Sequence, residues 1–180
     1  MSTTIDPKRV EVMISAEQIA ERVRQLAAQI SADYAGKQPL VIGVLNGAGV
    51  LLADLVRQLT IPVRCEFVRV TSYGMRTETS GEPKLLLDTV EPVTGADVLV
   101  VDDILDTGIS IAWLLDHLQK KSPASLRLCV LLDKSERRRV TVPADYVGFT
   151  IPDRFVVGYG LDCREQFREL PFIGHVKGDE

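Results

Sequence analysis

The chain has 180 residues, 46% of them hydrophobic and 26% charged, which is enough for one domain with a substantial core. A net charge of −4 and an isoelectric point near 5.3 argue against general nucleic-acid binding, which requires a basic surface. No apolar run is long enough to cross a membrane, and the polar N-terminus lacks the features of a signal peptide. We therefore expect a cytoplasmic protein that binds neither membranes nor nucleic acid. The three cysteines are scattered, and we expect Cys65 and Cys129 to be small buried residues in a reducing compartment.

The first half of the chain alternates helical and extended patterns. Ser15 to Gln18 has the form of a capping box, and apolar residues follow it at helical spacing. The predicted elements are a helix from Ser15 to Tyr34, a strand over 39–45, a helix over 50–59 and a strand over 63–71. Residues 72–83 are polar and show no periodicity, and a loop of that length in a small domain is usually functional or disordered.

The stretch from Val98 to Ser110 organises the second half. Four apolar residues predict a buried parallel strand, which is expected to end in Asp102 and Asp103. A turn with Asp106 follows, and a helical pattern begins after it. A strand that leads through a polar turn into a helix N-terminus is a usual anion site, and nearby carboxylates suit hydroxyls, a metal or a proton. This combination predicts a phosphorylated sugar as ligand.

The remaining elements complete an α/β pattern. They are a short strand over 84–88, the helix after Ser110 ending before Pro123, a strand over 125–132, short strands over 146–149 and 155–157, and a turn-rich tail from Gly158. Alternating strands and helices predict a mainly parallel sheet flanked by helices. The chain shows no linker or internal repeat, so we expect a single domain over residues 1–180.

Three other nucleotide or signalling motifs fit poorly. The turn over 46–49 is not a dinucleotide fingerprint, because the third glycine position falls on Leu52. The chain also lacks the glycine-lysine pattern of a P-loop. Paired acids such as Asp102 and Asp103 are found in receiver domains, but here they lie past the midpoint of the chain, which leaves too little sequence for such a domain.

The Val98–Ser110 stretch resembles the phosphoribosyl-diphosphate (PRPP) signature of the type I phosphoribosyltransferases. The similarity extends to the hypoxanthine-guanine phosphoribosyltransferases through the loop at 45–49, Ser72-Tyr73, Leu131 to Lys134 and the stretch 145–162. It implies the type I phosphoribosyltransferase fold, which is a twisted, mainly parallel sheet with a small hood from the N- and C-terminal segments. It also implies a lid over about 72–83, including Ser72 and Tyr73, and a purine-binding hood mainly in 134–180.

The resemblance further assigns the sugar-phosphate end of a site. It implies that PRPP contacts Asp102, Asp103, Asp106, Thr107, Gly108, Ile109 and Ser110. Relatives often have Lys at the position of Ile109, so an extra charge is missing there. Asp106 would be the catalytic base that accepts the purine N7 proton, and the alternative for it is a simple helix cap. A cap is also the alternative for Asp102 or Asp103, although Asp106 and Thr107 are expected to cap that helix already.

The purine and pyrophosphate contacts are implied in the same way. Lys134 would donate to the purine O6, Phe155 would stack on the base, and Val156 and Asp162 would complete the purine end. The alternatives from the residues alone are a solvated charge for Lys134 and core packing for Phe155. Pyrophosphate would contact Arg168, whose alternative is an exposed charge, and the loop residues Asn46 and Gly47. The Leu45–Asn46 bond can be cis in this family, and Asn46 replaces a common Lys or Arg.

The implied activity is purine salvage. Hypoxanthine or guanine would react with PRPP to give IMP or GMP and pyrophosphate, with Mg²⁺ held through Asp102, Asp103 and Asp162. The substrates would be a 6-oxopurine base and PRPP, and the family usually forms homodimers or homotetramers. The rival is a PRPP-sensing, RNA-binding regulator of the same fold, for which this acidic chain offers only the run Arg137 to Arg139. We expect that run to be a solvated turn.

Overall fold

The computed structural model describes residues 10–70 and 83–176. Within them, nine strands and three α-helices alternate. The strands are β1 (Val10–Ile14), β2 (Leu40–Val44), β3 (Arg64–Val70), β4 (Leu85–Leu87), β5 (Asp97–Leu105), β6 (Ser125–Asp133), β7 (Tyr146–Thr150), β8 (Val156–Val157) and β9 (Ile173–Val176). The helices are α1 (Ala16–Asp33), α2 (Ala48–Gln58) and α3 (Ile109–Gln119), and a 3-10 helix covers Ser135–Arg137.

The larger sheet has six strands in the order β4-β3-β2-β5-β6-β7. Its neighbouring strands are parallel except for β4, which pairs antiparallel with β3 at the edge. The predicted mainly parallel α/β sheet is therefore confirmed. Because five strands run in the same direction, their carboxyl ends lie along one edge of the sheet, where ligands of such folds bind.

Helices cover both faces of this sheet. In β5, Leu99 and Val101 share a core with α1 and α2, whereas Val98 and Val100 share a core with α3. The alternation follows from the two-residue period of a strand. Cys129 in β6 is buried as predicted, but Cys65 is exposed. The prediction for Cys65 was wrong because β3 buries only Val68, whereas the helices cover the central strands.

Helix α1 begins as the sequence predicts. The Ser15 hydroxyl accepts a hydrogen bond from the Gln18 amide at 3.3 Å, and the Gln18 side chain accepts one from the Ser15 amide at 2.8 Å. This reciprocal pair satisfies two backbone donors that no helical carbonyl can reach. The helix then buries one apolar face, formed by Ile19, Val23, Leu26, Ala27 and Ile30.

Strand β5 is longer than the sequence predicted. It does not end at Asp103 but continues to Leu105, because Ile104 and Leu105 pair with Leu132 and Asp133 of β6. Asp102 and Asp103 are therefore strand residues, and Asp106 is the first residue after the strand. The alternative that Asp102 or Asp103 caps a helix is wrong.

A second sheet of three antiparallel strands, in the order β1-β9-β8, forms the hood. The predicted hood from N- and C-terminal segments is confirmed, but β1 and β9 were not predicted as strands. Each has at most five residues, and each is stabilised by a partner more than a hundred residues away in the chain. The predicted hood range 134–180 also contains β7, which belongs to the larger sheet.

The described part of the chain contains no helix with both the length and the apolar character needed to span a bilayer.

Candidate active site

A cavity of about 690 Å³ opens at the carboxyl ends of the parallel strands, between the larger sheet and the hood. Every predicted site residue in the described part of the chain lines it. These residues are Asn46, Gly47, Asp102, Asp103, Asp106, Thr107, Gly108, Ile109, Ser110, Lys134, Phe155, Val156, Asp162 and Arg168. Ser72 and Tyr73 of the predicted lid, like most of the range 72–83, lie outside the described residues.

The loop from Asp106 to Gly108 connects β5 to α3, and Ile109 and Ser110 are the first residues of the helix. Gly108 is the N-cap of α3 and has a φ of 82°, a left-handed conformation that favours glycine. A Cβ atom at Gly108 would lie 2.4 Å from the Val140 carbonyl oxygen, so a larger residue does not fit. The first amides of α3 have no intrahelical partner and face the loop, which makes this helix terminus suitable for an anion.

Asp102 and Asp103 lie at the floor of the cavity. The Asp103 amide donates to the Asp102 carboxylate at 3.0 Å. Burial raises the pKa of Asp102 well above its usual value, and the neighbouring Asp103 charge adds to the effect. Burial also raises the pKa of Asp103, although the nearby Arg168 opposes that shift. Two carboxyl groups in this position favour a proton, a hydroxyl donor or a cation beside them.

The loop after β2 approaches this acid pair closely. The Leu45–Asn46 peptide bond is cis. Gly47 lies so close to the Asp103 carboxylate that a Cβ atom at this position would displace the Asp103 side chain. Helix α2 begins at Ala48, two residues earlier than predicted. The turn therefore presents its backbone to the cavity at the start of a helix.

Asp106 has one carboxylate oxygen with a partner and one without. Its Oδ2 accepts a hydrogen bond from Arg137 at 3.4 Å. Its Oδ1 is buried and has no hydrogen-bond partner in the described part of the chain. Gly108, with no side-chain cap bond, occupies the N-cap position. The interpretation of Asp106 as a helix cap is therefore wrong. Of the two residues expected to cap α3, only Thr107 contacts a helix amide, because its hydroxyl accepts from Ile109 at 3.5 Å.

Lys134 follows β6 and lies beside the end of β5. Its amide donates to the Leu105 carbonyl at 3.0 Å, and the residue is only 4% exposed. Burial lowers the pKa of its ammonium group, and the charges of Asp106 and Asp153 partly offset that shift. The alternative of a solvated surface charge is wrong, because Lys134 belongs to the cavity wall.

The hood supplies the opposite wall. Val156 is buried and pairs with His175 in the small sheet, whereas the neighbouring Phe155 is 43% exposed. Core packing is therefore the wrong interpretation of Phe155, since its ring is not covered by the core. Its place on the cavity wall leaves an aromatic surface available to a flat ligand.

Asp162 and Arg168 are held together on the same side. Arg168 pairs with the Asp162 carboxylate at 2.7 Å and also donates to the Gly160 carbonyl at 2.7 Å. The alternative of a free exposed charge at Arg168 is wrong. The described residues contain no group of three or more His, Cys, Asp or Glu side chains that could hold a metal ion. Asp102, Asp103 and Asp162 therefore line one cavity without forming such a cluster.

The prediction of a solvated turn is correct for the exposed Arg137 and Arg139 but wrong for Arg138. Arg137 and Arg139 line the cavity, and Arg137 lies between Asp106 and Asp153, 3.6 Å from the latter. Arg138 is largely buried and pairs with Asp133. The sequence contained a signal for this arrangement, because the run closely follows Lys134 at the carboxyl end of a central strand. The high charge of the run nevertheless favoured a position in solvent for all three arginines.

Comparison with known proteins identifies the family. Residues 13–164 match the family model described as phosphoribosyl transferase domain. The hypoxanthine-guanine phosphoribosyltransferase of Bacillus subtilis is 41% identical over 167 residues, which are 93% of this chain and 93% of that protein. The chain belongs to the hypoxanthine-guanine phosphoribosyltransferase family. The Aquifex aeolicus member is 46% identical over 92% of this chain and 94% of its own length.

Solved phosphoribosyltransferase structures agree with this assignment. A hypoxanthine-guanine phosphoribosyltransferase from Bacillus anthracis has a TM-score of 0.87 and 48% identity, over 92% of this chain and 98% of that one. A hypoxanthine phosphoribosyltransferase from Staphylococcus aureus has a TM-score of 0.91 at 37% identity, over 98% and 97% of the two chains. The chain is therefore a phosphoribosyltransferase, and the predicted type I fold is confirmed.

Some relatives are longer. The bifunctional protein TilS/HprT of Listeria innocua is 42% identical over 93% of this chain, but the chain spans only 26% of that protein. The alternative of an RNA-binding regulator finds no support among these relatives. Its one sequence feature, the arginine run, contributes to the cavity wall and to the packing behind it.

Proposed function

We propose that this phosphoribosyltransferase transfers the ribose 5-phosphate group of PRPP to hypoxanthine or guanine, giving IMP or GMP and pyrophosphate. The observation that carries the proposal is the unpartnered Oδ1 atom of Asp106 in the cavity. A buried carboxylate oxygen without a partner is costly, and a purine N–H can satisfy it. Asp106 lies between a helix N-terminus and the buried Lys134, which are suited to a phosphate and to a carbonyl oxygen.

The sugar-phosphate end is assigned to the stretch 102–110. The 5′-phosphate lies at the N-terminus of α3, where the backbone amides of residues 106–110 and the hydroxyls of Thr107 and Ser110 donate to it. Gly108 allows the close approach, and Ile109 contributes its amide although it lacks the charge common in relatives. Asp102 and Asp103 accept hydrogen bonds from the two ribose hydroxyls.

Asp106 has the catalytic role. The bond between C1′ and the pyrophosphate oxygen breaks, and its electron pair leaves with pyrophosphate, so positive charge develops on the sugar. The purine N9 forms the new bond to C1′, and Asp106 accepts the proton from N7. The same carboxylate lies close enough to the sugar to stabilise its developing charge electrostatically.

The purine end is assigned to Lys134 and the hood. Lys134 donates a hydrogen bond to the exocyclic O6, which adenine lacks, and Phe155 stacks on the ring. The backbone of Val156 contacts the N1 and C2 edge, and Asp162 lies beside it. A site that hydrogen-bonds one substrate group discriminates strongly against analogues without it.

Pyrophosphate is assigned to the backbone of Asn46 and Gly47 and to the side chain of Arg168. The acid pair at the cavity floor fits Mg²⁺, because this ion prefers one or two carboxylates together with substrate phosphate oxygens. Asp102 and Asp103 would hold it, and Asp162 would hold a second ion through water. Magnesium held there would neutralise part of the negative charge on the pyrophosphate group. We retain residues 72–83 as a lid that excludes water from the activated sugar.

The test is a side-by-side assay. Purified protein, PRPP and MgCl₂ are incubated with hypoxanthine, guanine, xanthine or adenine, and the nucleotides are separated by chromatography. We expect IMP and GMP but no AMP. Absence of nucleotide from every 6-oxopurine would contradict the proposal. Light scattering tests the homodimer or homotetramer expected from the family, and cell fractionation tests the proposed cytoplasmic location.

A further inference from the structure

The arginine segment (residues 137–142), which begins at the last residue of the 3-10 helix, packs against the turn over residues 105–108, here called the phosphate loop. The amides of Arg139 and Val140 both donate to the Thr107 carbonyl, at 2.9 and 3.1 Å. The Val140 carbonyl also comes so close to Gly108 that no Cβ atom fits between them. The two stretches are therefore in tight backbone contact along the turn.

Arg138 contributes its side chain to the same contact. Its guanidinium donates to the Asp106 carbonyl at 3.0 Å and to the Leu105 carbonyl at 3.2 Å, and it forms an ion pair with Asp133. A third carbonyl, that of Val142, accepts from it at 3.4 Å. The side chain is only 17% exposed, and unlike Arg137 and Arg139 it does not line the cavity.

These contacts, together with the Lys134 amide that also donates to the Leu105 carbonyl, hold three successive peptide groups. In a planar trans peptide the carbonyl and the following N–H point in opposite directions. Because the carbonyls of Leu105, Asp106 and Thr107 are bound on the side of the arginine segment, the next three amides, of residues 106–108, point away from it. Successive N–H groups turned to one side of a loop form an anion-binding nest.

We propose that Arg138 is a positioning residue that orients the amides of the phosphate loop without touching the substrate. This inference rests on the proposed function, because it assigns the geometry of the 5′-phosphate site. A planar guanidinium can hold Leu105 and Asp106 in one fixed fork, whereas a lysine ammonium is a single flexible point charge. Arg138 therefore acts on phosphate affinity through the loop, and the purine end does not depend on it.

The experiment compares Arg138→Lys and Arg138→Gln with the wild-type enzyme. Arg138→Lys keeps a cation beside Asp133 and so limits loss of stability, whereas Arg138→Gln removes the charge. We expect both variants to raise the KM for PRPP by about tenfold or more, because the charged hydrogen bonds that orient the loop are lost or weakened. The KM for hypoxanthine should change less than about twofold. Arg154→Gln, an exposed arginine outside the cavity lining, is the matched control and should leave both constants unchanged.

If Arg138 only stabilised the fold, the two KM values would change in a different way. If Arg138→Lys restores the wild-type KM for PRPP, or if both KM values rise together, the positioning role is wrong. Unchanged constants in both variants also overturn it. Calorimetric titration with ribose 5-phosphate measures the same loss without turnover, so the positioning role is tested even if the wild-type protein makes no IMP. Failure of the wild-type protein to make IMP would count against the proposed function and not against the positioning role.

Discussion

The two ends of the cavity, which we propose bind the sugar phosphate (the phosphate end) and the purine (the purine end), are built in different ways. The phosphate end comes from one continuous stretch, residues 102–110, and from backbone groups at a helix N-terminus. The purine end is assembled from Lys134 after β6 and from Phe155 and Val156 in the hood, and there side chains provide most of the available chemistry. Backbone donors do not depend on residue identity, so the phosphate end can tolerate Ile109 where relatives often have lysine.

This difference predicts how substitutions act. At the phosphate end, a change is harmful when it moves the backbone, and at the purine end it is harmful when it removes a donor or a ring. Asp106 lies where these two ends meet, and its buried Oδ1 atom has no hydrogen-bond partner in the described part of the chain, so we expect its substitution to be the most harmful.

Asp106→Asn should give the largest effect. The amide cannot accept the N7 proton as a base, so kcat should fall by ~10²–10⁴-fold while the KM for hypoxanthine changes much less. Steady-state kinetics with saturating PRPP measure both constants. Asp116→Asn is the control, since that carboxylate is exposed on α3 and pairs only with Lys120 in the described contacts. A wild-type kcat for Asp106→Asn would remove it from the catalytic role.

Lys134→Ala should act at the purine end alone. Loss of the O6 donor is expected to lower kcat/KM for hypoxanthine by ~10²-fold, and the KM for PRPP should stay near the wild-type value. Lys120→Ala, which removes an exposed ammonium at the residue after α3, is the matched control. If kcat/KM fell equally for hypoxanthine and for PRPP, the two ends of the cavity would not be independent.

Gly108→Ala tests the phosphate end. The left-handed φ costs alanine roughly 1–2 kcal/mol, and overpacking against Val140 adds about 1–3 kcal/mol. Gly36→Ala is the control, because Gly36 has a similar φ of 77° but no atom within 4 Å of its would-be Cβ. Thermal unfolding should show the larger loss for Gly108→Ala, and only that variant should raise the KM for PRPP, by about tenfold. If both variants lost the same amount of thermal stability, the contact with Val140 would be unimportant.

Much of the phosphate end could be predicted from the sequence because it is local. The apolar run before Asp102, the acids and Gly108 are adjacent in the chain, and strand, turn and helix signals follow each other directly. Local signals alone also gave the wrong end for β5. Asp102 and Asp103 look like residues after a strand, and only the pairing with β6 extends the strand to Leu105.

The purine end was harder to predict for the opposite reason. Phe155 precedes two buried valines, so its pattern alone favoured core packing, and its exposure depends on the hood sheet. That sheet needs β1 and β9, which are too short to give a period and pair across nearly the whole chain. Arg138 was missed because a run of charges usually indicates solvent, whereas its carbonyl partners in the 105–108 turn can be identified only in three dimensions.

The smallest expected effect is a pH dependence at the purine end. In the proposed function Lys134 donates to O6 as a cation, and burial lowers its pKa below the 10.5 of an ordinary lysine. As the pH rises through that lowered pKa, the cation and its hydrogen bond are lost, so kcat/KM for hypoxanthine should decline earlier than an exposed lysine would allow. Lys134→Arg keeps the charge throughout this range. Ionisation of the purine itself affects both enzymes equally, so it cancels when the wild-type kcat/KM is divided by that of Lys134→Arg. This ratio should fall by about twofold to fivefold between neutral and alkaline pH. A ratio independent of pH would mean that Lys134 is not the group that titrates at the purine end.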